Sequence, residues 1–195
     1  RRQRQMCIRD RSKAQFAYGS DGRKLSEKAG TGGFEYMGSL IYAYRGGTLS
    51  LAQAVTDEGT IQSAGVNYFI RDHLGSVRAV VDHTGKTVER NDYYPFGGRH
   101  ENSALSLSAT NRYTFGGKES LEQVNLDMLD FGARFYDPRI ARWNTQDPLA
   151  EKYFSLSPYN YCAGNPITLV DPTGMFMTDY FNLNGKKVRH VDDNK

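Results

Sequence analysis

NYFIRDHLGSVRAVVDHTGKTVERNDYYPFGG, from Asn67 to Gly98, reads as strand, turn, strand, turn. Val77, Ala79 and Val81 alternate with Arg78 and Val80, the period-two signature of a strand with one buried face. Asp72-His73-Leu74-Gly75 and Asp82-His83-Thr84-Gly85 supply the reversals on either side. Asp holds a turn through its own carboxylate, and Gly takes the positive φ that hairpin turns need. Pro95, in Tyr93-Tyr94-Pro95-Phe96-Gly97-Gly98, ends the run because it cannot donate to a ladder. Upstream, SDGRKL from Ser20 and TDEGTI from Thr56 repeat the cassette that DHTGKTV starts at Asp82. Their intervals are unequal, so the repeat is degenerate and does not make a regular solenoid. The pattern predicts an all-β chain.

Composition agrees. Tyr (13), Phe (10) and Gly (20) are plentiful while the hydrophobic fraction is 38%, which suits strands, turns and an aromatic core better than a helical bundle. A net charge of +3, concentrated in RRQRQMCIRDR at residues 1–11, does not call for nucleic acid as a partner. That segment has five arginines and no apolar stretch, so it is not a signal peptide. It reads as extraneous or as a disordered basic arm, which makes the chain a fragment whose natural protein begins upstream. Cys7 lies in it, so a disulfide with Cys162 is not expected, and two cysteines alone make no zinc site. His73, His83, His100 and His190 lack metal-ligand spacing. No run of about 18 apolar residues predicts a membrane span.

Past Gly98 the character changes. ENSALSLSAT at 101–110 reads as a loop, and Arg112 to Gly117 as a short strand. Two short helices are predicted, Lys118 to Gln123 and Pro148 to Lys152, the second with Asp147 as N-cap and Pro148 in the first helical position. DFGARFYDPRIARWNTQDPLAEKYFSLSPYNYCAGNPITLVDPTG, from Asp130 to Gly174, carries Asp-Pro steps at Asp137, Asp147 and Asp171. Asp before Pro is a common turn or cap residue, so each carboxylate has a purely structural reading beside any chemical one.

The order RDHLGSVRAVV, DYYPFGG, FGGKE, DFGARFYDPRIARWNTQDPLAEKY, SPYNYCAGNPI and LVDPTG resembles the RHS repeat-associated core domain. That domain closes the Tyr-Asp (YD) repeat region of RHS and polymorphic-toxin proteins. The resemblance runs from about Phe16 to Met175. It implies YD-repeat hairpins in the wall of a hollow β-shell, closed by a core or plug region that cuts a C-terminal toxin free by intramolecular aspartyl-type proteolysis. The implied division is 1–11 extraneous, 12–100 YD-repeat strands, 101–175 core, and 176–195 the start of a truncated variable effector domain. The signature Asp171-Pro172-Thr173-Gly174 places the scissile bond at Met175–Phe176. The resemblance carries the catalytic acids onto Asp147 and Asp171 and the assisting arginine onto Arg134. Ala141 stands where the family commonly has Gly, and Met175 where Leu is more frequent; neither change removes a reacting group.

Hydrolysis by carboxylates needs two of them close enough that one holds a proton while the other acts as base, and only a fold can bring Asp147 and Asp171 together. Arg142, beside Trp143, rivals Arg134 as the guanidinium. Asp137 reads as a turn carboxylate, Trp143 as a core anchor and Asn165-Pro166 as a tight turn. No cofactor is implied. The implied partners are the chain's own toxin domain, an immunity protein and a delivery apparatus, at a secreted or cell-surface location. FMTDYFNLNGKKVRHVDDNK, after Met175, carries no motif of a nuclease, transferase or deaminase. The alternative is a non-catalytic structural or cell-surface adhesion module, with its aromatics open to glycan binding. A glycosidase with paired acids is a weaker third reading.

Overall fold

The computed structural model describes residues 14–100, 111–124, 126–152 and 154–175, together with the backbone of 2–7, 13, 105–106, 179–181 and 187–190. Among these residues regular structure is antiparallel β throughout, joined by turns and single turns of 3-10 helix. The chain divides into two compact units. The first holds residues 1–69, 81–86 and 122–126, and the second holds 70–80, 87–121 and 127–195.

The first unit is a meander in which each strand pairs with the next. Its strands are β1 (Arg2–Cys7), β2 (Lys13–Tyr18), β3 (Lys24–Ala29), β4 (Gly32–Met37), β5 (Leu40–Arg45), β6 (Thr48–Thr56), β7 (Gly59–Gln62) and β8 (Gly65–Arg71). The Asp-Gly cassettes fall at its reversals: Gly22, at φ 81, takes the turn between β2 and β3. Residues Arg2–Cys7, expected to stand outside the fold, form a ladder with β2 from Arg2↔Tyr18 to Cys7↔Lys13.

Register sorts the side chains of this sheet by face. Tyr36, Ile41 and Gln53 form one row, with Ile41 and Gln53 buried. Met37, Leu40, Ala54, Ile61 and Val66 form a row on the other face, where Met37 and Ile61 stand exposed. On the buried face a bulge decides one contact. Ala17 pairs with Ser26 but Tyr18 with Lys24, so Leu25 is the extra residue. In a regular strand Lys24 and Glu27 would point to opposite faces; the bulge brings them to the same one. Lys24 Nζ then bonds Glu27 Oε2, Tyr36 Oη donates to the same oxygen at 3.2 Å, and the ammonium lies 5.2 Å from the Phe16 ring.

The hairpin expected between Asn67 and Gly98 forms as β9 (Val77–Asp82) and β10 (Thr87–Arg90), followed by β11 (Leu105–Ser106) paired to β10. Asp72 and Asp82 hold their turns in the same way, each Oδ1 accepting from the amides two and four residues on. Strict alternation does not hold in β9. Val77 and Val80 are buried while Ala79 and Val81 are half-buried, so the strand is covered on both faces. Of the expected loop at 101–110, Leu105–Ser106 is strand and the rest lies outside the described residues.

The second unit also contains a four-stranded sheet, β12 (Glu119–Ser120), β13 (Leu129–Asp130), β14 (Phe135–Asp137) and β15 (Arg142–Trp143), paired in that order. A three-stranded sheet follows, β16 (Leu169–Val170), β17 (Asp179–Phe181) and β18 (Lys187–His190). The strand expected at Arg112 to Gly117 is a single bridge, Tyr113↔Glu119, and then a 3-10 turn at Phe115–Gly117. Gly116 and Gly117 take φ of 59° and 66°, which reverses the chain where a strand would need extended backbone. Neither predicted helix forms. The first becomes β12 and a 3-10 turn at Glu122–Val124, and the second shrinks to a 3-10 turn at Ala150–Lys152.

The core of this unit is aromatic. Phe115, Phe131, Tyr136, Trp143 and Tyr161 pack with Leu129, Leu169 and Cys162. Phe131 meets Trp143 edge to face at 5.0 Å, and Tyr136 lies 4.3 Å from Tyr161. Each such pair is worth about 0.5–1.5 kcal/mol beyond its area burial. The rings also fix the three turns that carry the carboxylates and the arginine.

Candidate functional site

Arg134, Asp147 and Asp171 come from three different turns of the second unit. Arg134 closes the reversal between β13 and β14: Phe131 N donates to Arg134 O (3.1 Å), Gly132 takes φ 87°, and Gly132 N donates to Asp130 Oδ1. Asp147 follows β15, with its Oδ1 accepting from Leu149 N (2.8 Å) and its carbonyl from Ala150 N, so it caps the 3-10 turn as the sequence suggested. Asp171 follows β16 directly.

The guanidinium joins them. Nη2 donates to Asp147 Oδ2 at 2.8 Å and reaches Asp171 Oδ2 at 3.4 Å, so both carboxylates share one nitrogen. Nη1 donates to Pro158 O (3.2 Å), Nε to Gly174 O, and the fork lies over the Trp143 ring, 4.1 Å from its centroid. The Arg134 and Asp171 side chains are almost wholly buried, at 2% and 1% exposure; Asp147 keeps 14%. Only arginine offers enough fixed donors to serve all four acceptors.

The Asp171 turn is tied at nearly every polar atom. Its Oδ1 accepts from Thr173 N (3.2 Å), Gly174 N (2.7 Å) and Met175 N (3.2 Å). The carbonyls are taken in series: Pro172 O by Lys118 Nζ (2.6 Å), Thr173 O by Ala133 N (3.0 Å), and Gly174 O by Arg134 Nε. Gly174 sits at φ 72°, and a Cβ there would lie 3.1 Å from Arg134 N and from Phe131 Cβ, so glycine is required.

Burial pushes the Asp171 carboxyl above its ordinary value, against the opposing pull of Arg134 and of its three backbone donors. Burial likewise lowers the proton affinity of Arg134, with Asp147 and Asp171 drawing it back up. For Lys118 burial again lowers it, and the charges of Asp171 and Asp130 raise it. One guanidinium nitrogen serves both carboxylates, the Lys118 ammonium bonds a carbonyl and neither acid, and Asp171 is buried. Such a site favours a proton on one acid, which is the electrostatic condition for an acid–base pair.

Other candidates fall elsewhere. Asp137 is engaged by Arg139, whose backbone N and guanidinium both bond it, so it is a corner carboxylate. Arg142 is exposed. Met175 is half-buried with its amide on Asp171, while Phe176, across the implied scissile bond, lies outside the described residues. The Cys162 thiol is buried and pushed up by that burial, which removes it as a nucleophile. Among the described residues no cluster of His, Cys, Asp and Glu could hold a metal, and no helix is long and apolar enough to cross a membrane. Sequence reasoning missed Lys118, the Pro158 carbonyl and the Trp143 platform under Arg134. The contacts of Lys118 and Arg134 span 54 and 24 residues, and no local pattern marks them.

Residues 39–161 match the Teneurin YD-shell family. The match takes in β5 to β8 of the meander and the second unit up to Tyr161, and the chain belongs to that family. At 37% identity over 103 residues it is similar to salivary gland surface protein 1 of Aedes aegypti, covering 53% of this chain and 3% of that protein. It is 31% identical over 112 residues to toxin subunit YenC1 of Yersinia entomophaga, covering 56% of this chain and 11% of the subunit. It is 34% identical over 103 residues to the tRNA nuclease WapA of Bacillus subtilis, covering 51% of this chain and 4% of that protein. The chain thus spans about a tenth or less of these relatives. In fold it is similar to a TcdB2–TccC3–Cdc42 crystal structure, with a TM-score of 0.69 at 21% identity over 89% of this chain and 10% of that one. A TcdB2–TccC3 structure without its hypervariable C-terminal region gives 0.71 at 20% identity, with the same coverage.

Proposed function

We propose that this chain is the closing region of an RHS-type toxin shell, and that it releases a C-terminal toxin by cutting its own Met175–Phe176 bond for use against competing bacteria. The observation that carries the reading is the shared guanidinium. Arg134 gathers Asp147 and Asp171 and at the same time grips the backbone one residue before Met175. In this mechanism Asp147 takes a proton from water as its oxygen adds to the Met175 carbonyl carbon. Asp171, the more buried acid, gives its proton to the departing Phe176 nitrogen as the C–N bond breaks. Arg134 stabilises the negative charge in the site as the tetrahedral centre forms.

Encapsulation rests on the other unit. The exposed row containing Met37 and Ile61 gives an apolar surface that an unfolded cargo can meet. The similarity to a TcdB2–TccC3 structure described as lacking a hypervariable C-terminal region supports the reading of a variable effector after residue 175. An immunity protein and a delivery apparatus belong to the same reading. The resemblance of the salivary surface protein favours the second reading, a non-catalytic surface module in which the trio is only a buried knot.

The test is intact mass of the full-length protein, with everything its gene places before and after these residues. A break after Met175 is expected, absent in Asp147→Asn, with loss of the acid–base pair slowing the cut by about 10²–10⁴-fold. A folded wild-type protein that stays whole favours the surface-module reading.

A further inference from the structure

We propose that Lys118 is a positioning residue for this cut, a second cation that sets the register of the scissile segment. The inference rests on the autoproteolytic reading above and adds a residue to it. Three successive carbonyls, of Pro172, Thr173 and Gly174, are each held by a donor, and three successive amides, of Thr173, Gly174 and Met175, converge on Asp171 Oδ1. Two of the carbonyl donors belong to the Phe131–Arg134 turn and its arginine. The third is the Lys118 ammonium, which approaches from a separate element at 2.6 Å.

The approach is built. The Phe115–Gly117 turn fixes the Lys118 backbone, with Lys118 N donating to Phe115 O and Thr114 N to Lys118 O. The ammonium then lies 5.3 Å from the centre of the Phe131 ring. Among the described residues no carboxylate closes an ion pair with it, so its hydrogen-bonding is directed at the Pro172 carbonyl and not at a counter-ion. Pro172 has no N–H, so this carbonyl is the only backbone group by which the residue after Asp171 can be held. The charged groups facing the turn are Arg134, Asp147 and Lys118, with Asp130 facing Lys118 and Cys162 and Tyr161 next to Asp171. Freeing Pro172 lets Asp171 and the three amides on it shift together, and displacements near an ångström at a reacting centre cost about 10²-fold in rate.

A cavity of about 360 Å³ adjoins the site and supplies the decisive control. Lys118, Asp171, Pro172, Phe131 and Tyr161 line it, with Arg71, Asp72 and His73 also on its wall. Truncating Lys118 opens its volume to that space, so a small amine has room to enter where the ammonium was. In the full-length protein Lys118→Met is expected to cut about 10²-fold more slowly, and Lys118→Arg to recover much of the rate. Lys118→Ala is expected to be rescued, saturably, by ethylammonium and not by equal concentrations of ethanol. A structural filler would be restored by either molecule or by neither. Wild-type cutting by Lys118→Met overturns the inference, as does a slow variant that neither arginine nor ethylammonium restores. A wild-type protein that stays whole would sink the autoproteolysis reading, and amide exchange would still judge the clamp. The Gly174 and Met175 amides must then exchange faster in Lys118→Met, and unchanged protection rejects Lys118 as their anchor.

Discussion

Two buried cations are accommodated in opposite ways by the two units. In the first, Lys24 and Glu27 sit on one strand, a bulge turns them to one face, and rings of Phe16 and Tyr36 close over the ammonium. Charge meets opposite charge inside a hydrogen-bonded ladder. In the second, Arg134 serves two carboxylates from different turns, along with the carbonyls of Pro158 and Gly174. An ion pair within one strand gives a static joint. A cation shared among turns leaves one acid with reason to hold a proton beside the Gly174–Met175 backbone. Burial alone therefore does not mark a site, since Glu27 is as inaccessible as Asp171. The sharing of one nitrogen by two acids, and their delivery on turns, is what separates them.

Glu27→Gln tests the first half of that contrast with the largest expected effect. It takes the Glu27 charge away from a buried ammonium and should cost about 3–5 kcal/mol in urea unfolding. The rate of cleavage in the folded fraction should not change; a slower cut would mean that the first unit takes part in the chemistry.

The pH profile sharpens the second half. Burial raises the Asp171 carboxyl above its free value, so the folded state holds that proton more tightly than the unfolded chain. The stability this contributes is complete below the free carboxylate value and is lost as pH rises through the raised one. The cut should follow, falling by up to about tenfold per pH unit above that point as the acid loses its proton. A rate that holds level from acid to alkaline buffer would remove Asp171 from the role of acid.

The smallest effect concerns the corner that presents Trp143 to Arg134. Ala141 has φ 56°, a left-handed backbone that costs an L-residue about 1–2 kcal/mol and glycine almost nothing. Ala141→Gly should raise the melting temperature by the equivalent of about 1 kcal/mol, net of the extra chain entropy glycine brings to the unfolded state. A lower melting temperature would show that the methyl group packs better than its strained backbone suggests.

Much of the fold was legible because hairpin chemistry is local. The Asp72 and Asp82 turns form from residues within four positions of each other, and the Asp147 cap from residues within two. The readings that failed needed more than local information. Two positive-φ glycines in sequence replaced the strand at Arg112 to Gly117, and helix propensity at Lys118 to Gln123 yielded to pairing of Glu119 with Asp130. The same division runs through the site. Asp147 and Asp171 stand out as Asp-Pro turns, and Arg134 enters through the family resemblance. Nothing in the order of residues places both carboxylates on one nitrogen of Arg134.

By itself the sequence determined a β chain, its Asp-Gly turns and the family it resembles. Backbone conformation and short-range hydrogen bonds decide those features, and they are written in spacings of two to four residues. Tertiary structure alone decided that Arg134 joins two carboxylates and that Lys118 reaches Pro172 across 54 residues. It decided as well that Asp137, alike in sequence to the other two, stays a corner. Packing of the Phe131, Trp143 and Tyr161 rings brings those turns together, and ring packing has no period that a sequence can display.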